Sequence, residues 1–171
     1  MGAVNMILRK ETAADIDAIS EVTVAAFQTL TISQHTEQFI IQALRQAHAL
    51  TVSLVAEFGA RVVGHVAFSP ITISDGSPHW YGLGPISVWP EYQCQGIGKS
   101  LIHEGLASLK AIGAQGCALV GDPNYYHRFG FKNNPNLTYA GIPQEYFLVL
   151  PFTDAVPQGS VTFHEAFSAR S

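Results

Sequence analysis

Between Ile97 and about Ile112, the apolar residues Ile102, Leu106 and Leu109 recur at spacings of four and three, which puts them on one face of a helix. Lys99, His103 and Lys110 fall where they can stay in water, and Gly113 ends the helix. Earlier in the chain, Glu11-Thr12-Ala13-Ala14-Asp15 starts a helix that carries Ile16, Ile19, Val22 and Phe27 on one side. Phe39, Ile40, Ala43 and Leu44 mark a second helix over His35 to His48. Strand patterns lie between and around these helices. Met6 to Arg9 read as a short first strand. Thr51 to Phe58 and Arg61 to Ile73, rich in β-branched residues and parted by Gly59-Ala60, read as an antiparallel hairpin. Trp80 to Val88 reads as a strand that stops at Trp89-Pro90, because proline cannot donate to a ladder. Gly116 to Val120 is a brief apolar strand, Tyr125 to Phe129 a short helix closed by Gly130, and Tyr146 to Leu150 and Val161 to His164 are two late strands. This order predicts an α+β fold, a mixed sheet flanked by helices.

Composition narrows the class. With 171 residues, 47% hydrophobic and 13% charged, the chain suits one domain, residues 1–171, with a substantial core. A net charge of −4 and a pI near 5.9 argue against a sequence-independent hold on nucleic acid. No apolar run reaches the roughly 18 to 20 residues needed to cross a bilayer, and the N-terminus lacks the apolar core of a secretion signal. The expectation is a cytoplasmic protein with no membrane partner. Cys94 and Cys117 form no Cys-x-x-Cys pair and are expected as reduced thiols. No repeat, low-complexity tract or interdomain linker is visible.

The candidate chemistry sits at Gln93-Cys94-Gln95-Gly96-Ile97-Gly98, directly after one apolar strand and directly before an amphipathic helix. Glycines there let backbone N–H groups approach an anion, and the helix adds its unpaired N–H groups and the positive end of its dipole. The run therefore reads as a diphosphate cradle. Two common nucleotide patterns fail on spacing. An ATP-type loop needs a glycine where the chain has Gln93, and a dinucleotide fingerprint needs one where it has Leu101.

The remaining pattern, Gln-x-x-Gly-x-Gly, resembles the coenzyme A pyrophosphate loop of the GCN5-related N-acetyltransferases. A second motif follows in the order that family uses. Gly121-Asp122-Pro123-Asn124-Tyr125-Tyr126-His127-Arg128-Phe129-Gly130-Phe131 comes after a short apolar strand, with Tyr126 and Gly130-Phe131 at the family's Tyr-x-x-x-Gly-Phe positions. Its wording, with Glu145-Tyr146-Phe147 downstream, looks like the YhbS-type branch of predicted acetyltransferases. The resemblance implies the acyl-CoA N-acyltransferase fold, with a mostly antiparallel sheet, one splayed parallel pair and flanking helices. It also implies acetyl-CoA as co-substrate and a small-molecule or protein amine as acceptor. A homodimer is the family habit.

Acetyl transfer from a thioester to an amine passes through a tetrahedral oxyanion and expels a thiolate, so N–H donors, a proton for sulfur and a way to deprotonate the amine are required. By resemblance, the strand Ile86-Ser87-Val88 pairs through its backbone with the pantetheine arm, and the Val88 N–H holds the thioester carbonyl. Ile86 and Val88 are at the same time ordinary core strand residues. The cradle residues are Gln93, Cys94, Gln95, Gly96, Ile97, Gly98, Lys99 and Ser100. Cys94 departs from the glycine or arginine usual in the family, and Lys99 reads equally as a phosphate ligand or a solvated lysine. The resemblance implies that Tyr126, whose offset from Gly130-Phe131 matches the family's, is the phenol that protonates sulfur; it reads otherwise as a packing aromatic, as Tyr125, Phe129 and Phe131 do. Asn124 reads as a partner of the pantetheine amides or as a turn residue after Pro123.

No general base is assigned. His65, His79 and Glu21 are conceivable, and each is also an ordinary structural or surface residue. The seven histidines lack metal-ligand spacing, so no metal is expected. Ser87, Ser100 and Cys94 lack the context of a covalent nucleophile. The same cradle would also serve a non-catalytic acyl-CoA sensor or a transferase for another acyl group. Acceptor choice is expected from Thr29 to Gln34 and Asn133 to Gln144.

Overall fold

A computed structural model describes residues 5–31 and 33–171. Ile32, inside the Thr29 to Gln34 segment, lies outside the described residues. The elements are β1 (Met6–Lys10), α1 (Ile16–Phe27), α2 (Glu37–Gln46), β2 (Val52–Phe58), β3 (Arg61–Ile73), β4 (Trp80–Val88), α3 (Ile97–Ala111), β5 (Gly116–Val120), α4 (Pro123–Tyr126), β6 (Leu137–Thr138), β7 (Phe147–Pro151) and β8 (Gly159–Phe163).

The strands form one sheet in the order β1-β2-β3-β4-β5-β7, with β8 on the far half of β3 and β6 beside β8. Pairing is antiparallel except for β4 with β5 and the two-residue contact of β6 with β8. Alternation along the strands sorts the core into two layers. Leu54, Val66 and Phe68 pack under α3 residues Leu101, Ile102 and Leu109. On the opposite face, Val55 meets Ile19 of α1 and Ile41 of α2. Strand side chains alternate between faces, so neighbouring residues feed opposite layers. The β2–β3 hairpin turns at Gly59 and Ala60, both at left-handed φ (57° and 64°), as a two-residue turn matched to strand twist requires.

The feature that makes room for a site is an irregularity between β3 and β4. Val66 stands opposite Ile86 and Phe68 opposite Leu83, so Gly84 and Pro85 share the space facing Ala67. An extra residue of this kind is a bulge, and bulges bend a strand and sharpen its twist. On its other side β4 pairs with β5 through Trp80, Tyr81 and Gly82 alone. Beyond Gly82 the two parallel strands part, leaving Ile86 to Val88 with a bare edge.

Differences from the sequence expectations are local. The second helix is shorter than His35 to His48, because His35 and His48 both take left-handed φ (59° and 55°). Its buried residues are Ile40, Ile41 and Leu44, with Phe39 half-buried. No helix among the described residues is long and apolar enough to cross a membrane.

Candidate active site

The bare edge of β4 presents specific backbone groups. In an antiparallel ladder, residue pairs that exchange both backbone hydrogen bonds alternate with pairs that exchange none. The Trp89 N–H donates to the Val63 carbonyl at 2.9 Å, and the register then makes Ser87 with His65 a bonded pair. Ile86 and Val88 fall between the bonded pairs, so their N–H and C=O groups are directed away from β3 into the gap. The Gln93 side-chain amide donates to the Val88 carbonyl at 3.0 Å and ties the following loop to this edge.

After the turn Pro90–Tyr92 the backbone runs through Cys94 at φ 63° and Gly96 at φ 86° into the 15-residue helix α3. Glycine suits the left-handed conformation at Gly96, whereas Cys94 holds it against the cost that a Cβ imposes. The Ser100 N–H is bonded back to the Gly96 carbonyl at 3.0 Å, while the preceding N–H groups lie in the turn that no intrahelical acceptor serves. A Cβ placed on Gly98 would stand 3.7 Å from the Tyr125 hydroxyl and 3.9 Å from Val88 Cγ2. The bare backbone of the first α3 turn thus faces both β4 and α4.

Helix α4 starts at Pro123, with Asp122 as its N-cap accepting from the Asn124 N–H at 2.9 Å. It carries Tyr125 and Tyr126, whose rings meet edge to face at 4.9 Å. Tyr126 also packs on Phe129 and Phe131, each at 6.2 Å. Burial pushes the Tyr126 phenol up to about 12, and the neighbouring Tyr125 adds to the shift. Burial raises the Tyr125 phenol too, partly opposed by Arg128, whose guanidinium lies 4.7 Å from the ring centre.

These elements enclose a cavity of about 550 Å³. Of the residues expected from the sequence, Ile86, Ser87 and Val88 line it from β4, Gln93, Cys94, Gly96, Ile97, Gly98 and Lys99 from the loop and α3, and Tyr126 from α4. Gln95, Ser100 and Asn124 stand off its wall. Gln95 reaches back toward the Glu91 carbonyl at 3.4 Å. Sequence reading passed over Ala26 and Phe27 at the end of α1 and Leu30 just beyond it, together with Tyr92, Tyr125 and Arg128.

Ser87 is buried and donates to the Thr23 hydroxyl at 3.3 Å. Glu21 and His79 are exposed away from the cavity, and His65 is wholly buried behind β4. The described lining residues include no carboxylate and no histidine, and their charged members, Lys99 and Arg128, are cationic. Burial pushes the Cys117 thiol far up, which makes it an inert core residue. No group of three or more metal-ligating side chains occurs among the described residues.

Comparison with known proteins agrees with this geometry. Residues 49–133 match the family model for the acetyltransferase (GNAT) domain. The uncharacterized N-acetyltransferase YhbS of Escherichia coli (strain K12) is 34% identical over 128 residues, 74% of each chain. A GNAT family acetyltransferase from Brucella melitensis, solved in complex with acetyl-CoA, superposes with a TM-score of 0.86 at 48% identity, covering 96% of this chain and 99% of that one. YhbS from Escherichia coli, solved in complex with CoA, superposes with a TM-score of 0.90 at 29% identity over 100% of this chain and 96% of that one. The chain belongs to the GNAT acetyltransferase family, in its YhbS-like branch.

Proposed function

We propose that the protein moves the acetyl group of acetyl-CoA to an amine by direct attack within a ternary complex. The observation that carries this reading is the meeting, around one cavity, of the free β4 edge, the bare first turn of α3 and the Tyr126 phenol. The two relatives solved with acetyl-CoA or CoA support the choice of ligand.

In this reading the diphosphate lies against the amides from Gln93 to Gly98, with Lys99 adding charge, and the pantetheine arm runs along Ile86 and Val88. The Val88 N–H supports the thioester carbonyl as it becomes an oxyanion, a fixed dipole that needs no reorganisation during reaction. The amine nitrogen bonds to the carbonyl carbon, the C–S bond breaks, and Tyr126 donates its proton to sulfur. A phenol at about 12 is a weaker acid than an ordinary thiol, at about 8.5. Proton delivery is therefore completed as the phenolate is refilled from the strongly acidic N–H of the newly acylated nitrogen.

The protein works in the cytoplasm, and a homodimer is its proposed assembly. The acceptor is a small-molecule or protein amine. Incubation with isotope-labelled acetyl-CoA and a library of amines tests the reading. Label appearing on an amine, with one coenzyme thiol released per transfer, is the expected result. Coenzyme binding with no transfer to any amine points instead to a sensor.

A further inference from the structure

His65 stands in the middle of β3, fully buried on the sheet face that α1 and α2 cover. Its Nε2 lies 2.8 Å from the Ser53 hydroxyl of β2, and Ser53 donates in a very short hydrogen bond to the Glu11 carboxylate. Arg45 of α2 clamps that carboxylate at 2.9 and 3.0 Å. Burial alone would raise Glu11, but the bonds from Arg45 and Ser53 prevail and hold it below the ordinary carboxylate range.

An ionised carboxylate only accepts, so Ser53 gives its proton to Glu11 and must itself accept from His65. Nε2 therefore carries the ring proton, and Nδ1 is a bare acceptor. No described protein group donates to it. Ser87, opposite His65 in the β3–β4 register, and its partner Thr23 have none to offer, since Thr23 donates to the Ile19 carbonyl at 2.7 Å and Ser87 donates to Thr23. Every hydrogen bond in the series thus points the same way, from the interior to Glu11.

Both ends of the series are placed to exchange protons. At the outer end, Glu11, Arg45, His48 and Ser53 line a small cavity of about 290 Å³. At the inner end, His65 sits directly opposite Ser87 in the β3–β4 register, and Ser87 lines the main cavity. With Nε2 engaged by Ser53 of β2, Nδ1 is the ring nitrogen left without a protein partner.

We propose that His65, through Ser53, is the exit by which an acceptor entering the main cavity as an ammonium passes its surplus proton to Glu11. The proposal rests on the acetyl-transfer reading and supplies a deprotonation step for a wall whose described residues include no carboxylate and no histidine. R–NH3+ gives one proton to a water held between Ser87 and Nδ1, which passes one of its own to Nδ1. The Nε2 proton moves to Ser53, and the Ser53 proton to Glu11 and then to solvent. The amine lone pair freed at the inner end attacks the thioester. An amine already neutral has no surplus proton and does not need the exit. His65 touches neither substrate nor coenzyme and is a positioning residue.

The test uses the full chain as wild type, Ser53→Ala and His65→Gln, with acetyl-CoA and two probe amines, benzylamine (protonated at neutral pH) and aniline (neutral there). Ser53→Ala, which keeps His65 in place, is expected to lower kcat/KM for benzylamine by about 10²-fold more than for aniline, the scale of one general acid–base contribution. Equal losses for the two amines, or no loss, overturn the proposal. Nitrogen-15 NMR of His65 in the wild-type chain reads the tautomer without any acceptor. A proton on Nε2 is expected. A proton on Nδ1 reverses the series and overturns the exit while leaving acetyl transfer intact, whereas failure to acetylate any amine removes the reading on which the exit rests.

Discussion

Gly121 and the Tyr126 ring are packed so closely that a Cβ on Gly121 would stand 2.5 Å from Tyr126 Cε2 and 2.9 Å from Cδ2. The missing side chain lets the ring pack against the end of β5, with Phe129 and Phe131 also against it. Gly121→Ala should therefore push the phenol out of place. The expected cost is about 1–3 kcal/mol of stability from overpacking, with a fall in kcat on the order of 10²-fold, as a displacement of about 1 Å can produce. Acetyl-CoA affinity should hardly change. Thermal melts and steady-state kinetics on one preparation separate the two effects, and an unaltered kcat would show that the ring position does not matter to the reaction.

Tyr126→Phe keeps the packing and removes the hydroxyl alone. We expect kcat to fall by about 10²-fold with acetyl-CoA affinity retained. Burial holds the phenol at about 12, so it stays protonated throughout the usual working range. The wild-type kcat profile should have no alkaline descent due to Tyr126 below about pH 10, the ordinary tyrosine value. A descending limb between about pH 8 and 10 that vanishes in Tyr126→Phe would contradict this assignment.

Stability should respond to acid in two separate windows. Burial depresses His65 from 6.5 to about 4, with Glu11 only partly opposing it. Between those values the unfolded chain takes up a proton that the folded chain refuses, so stability falls as pH drops from about 6.5 toward about 4. The shift corresponds to about 3 kcal/mol. Asp15 is depressed as well, first by its hydrogen bonds from Arg9 at 2.7 and 2.9 Å and then by Thr12. Its contribution is complete above about pH 4 and is lost further into acid. Urea midpoints measured at neutral pH and near pH 5 should fall for the wild type and stay level for His65→Gln. Equal pH dependence in both chains would rule out His65 as the source.

The parts of the molecule legible in the sequence are those whose pattern and punctuation agree. β4 spans Trp80 to Val88 as read, because its apolar run is closed by Trp89-Pro90. The hairpin turn falls on Gly59-Ala60, and α3 begins at Ile97, straight after the glycine that caps it. The two-residue β6 at Leu137–Thr138 has no periodicity of its own and exists through its pairing with β8. The loop and the tyrosine that the motifs single out are among the residues lining the cavity. The motifs did not locate the α1 wall. Ala26, Phe27 and Leu30 look like the fraying end of an amphipathic helix, and only the splay between β4 and β5 turns them into cavity lining. Tyr125 was hidden in a similar way, since a run of aromatics reads as packing until its hydroxyl is seen beside Gly98. His65 was visible as a histidine, but the direction of its hydrogen bonds depends on Ser53 and Glu11, brought together from separate elements.

In the proposed reading, coenzyme A is seated with its diphosphate on the first turn of α3. A calorimetric titration of coenzyme A into the wild type and into Gly98→Leu tests this seating. The structure leaves ordinary contact distances around a Cβ at Gly98, so the variant should fold, as its melting temperature will report, while the added side chain occupies the place of the phosphate. One-site binding by the wild type and a loss of at least about tenfold in the variant, or about 1.4 kcal/mol, is the predicted result. Undiminished binding by a folded Gly98→Leu, or no heat with the wild type, would contradict it.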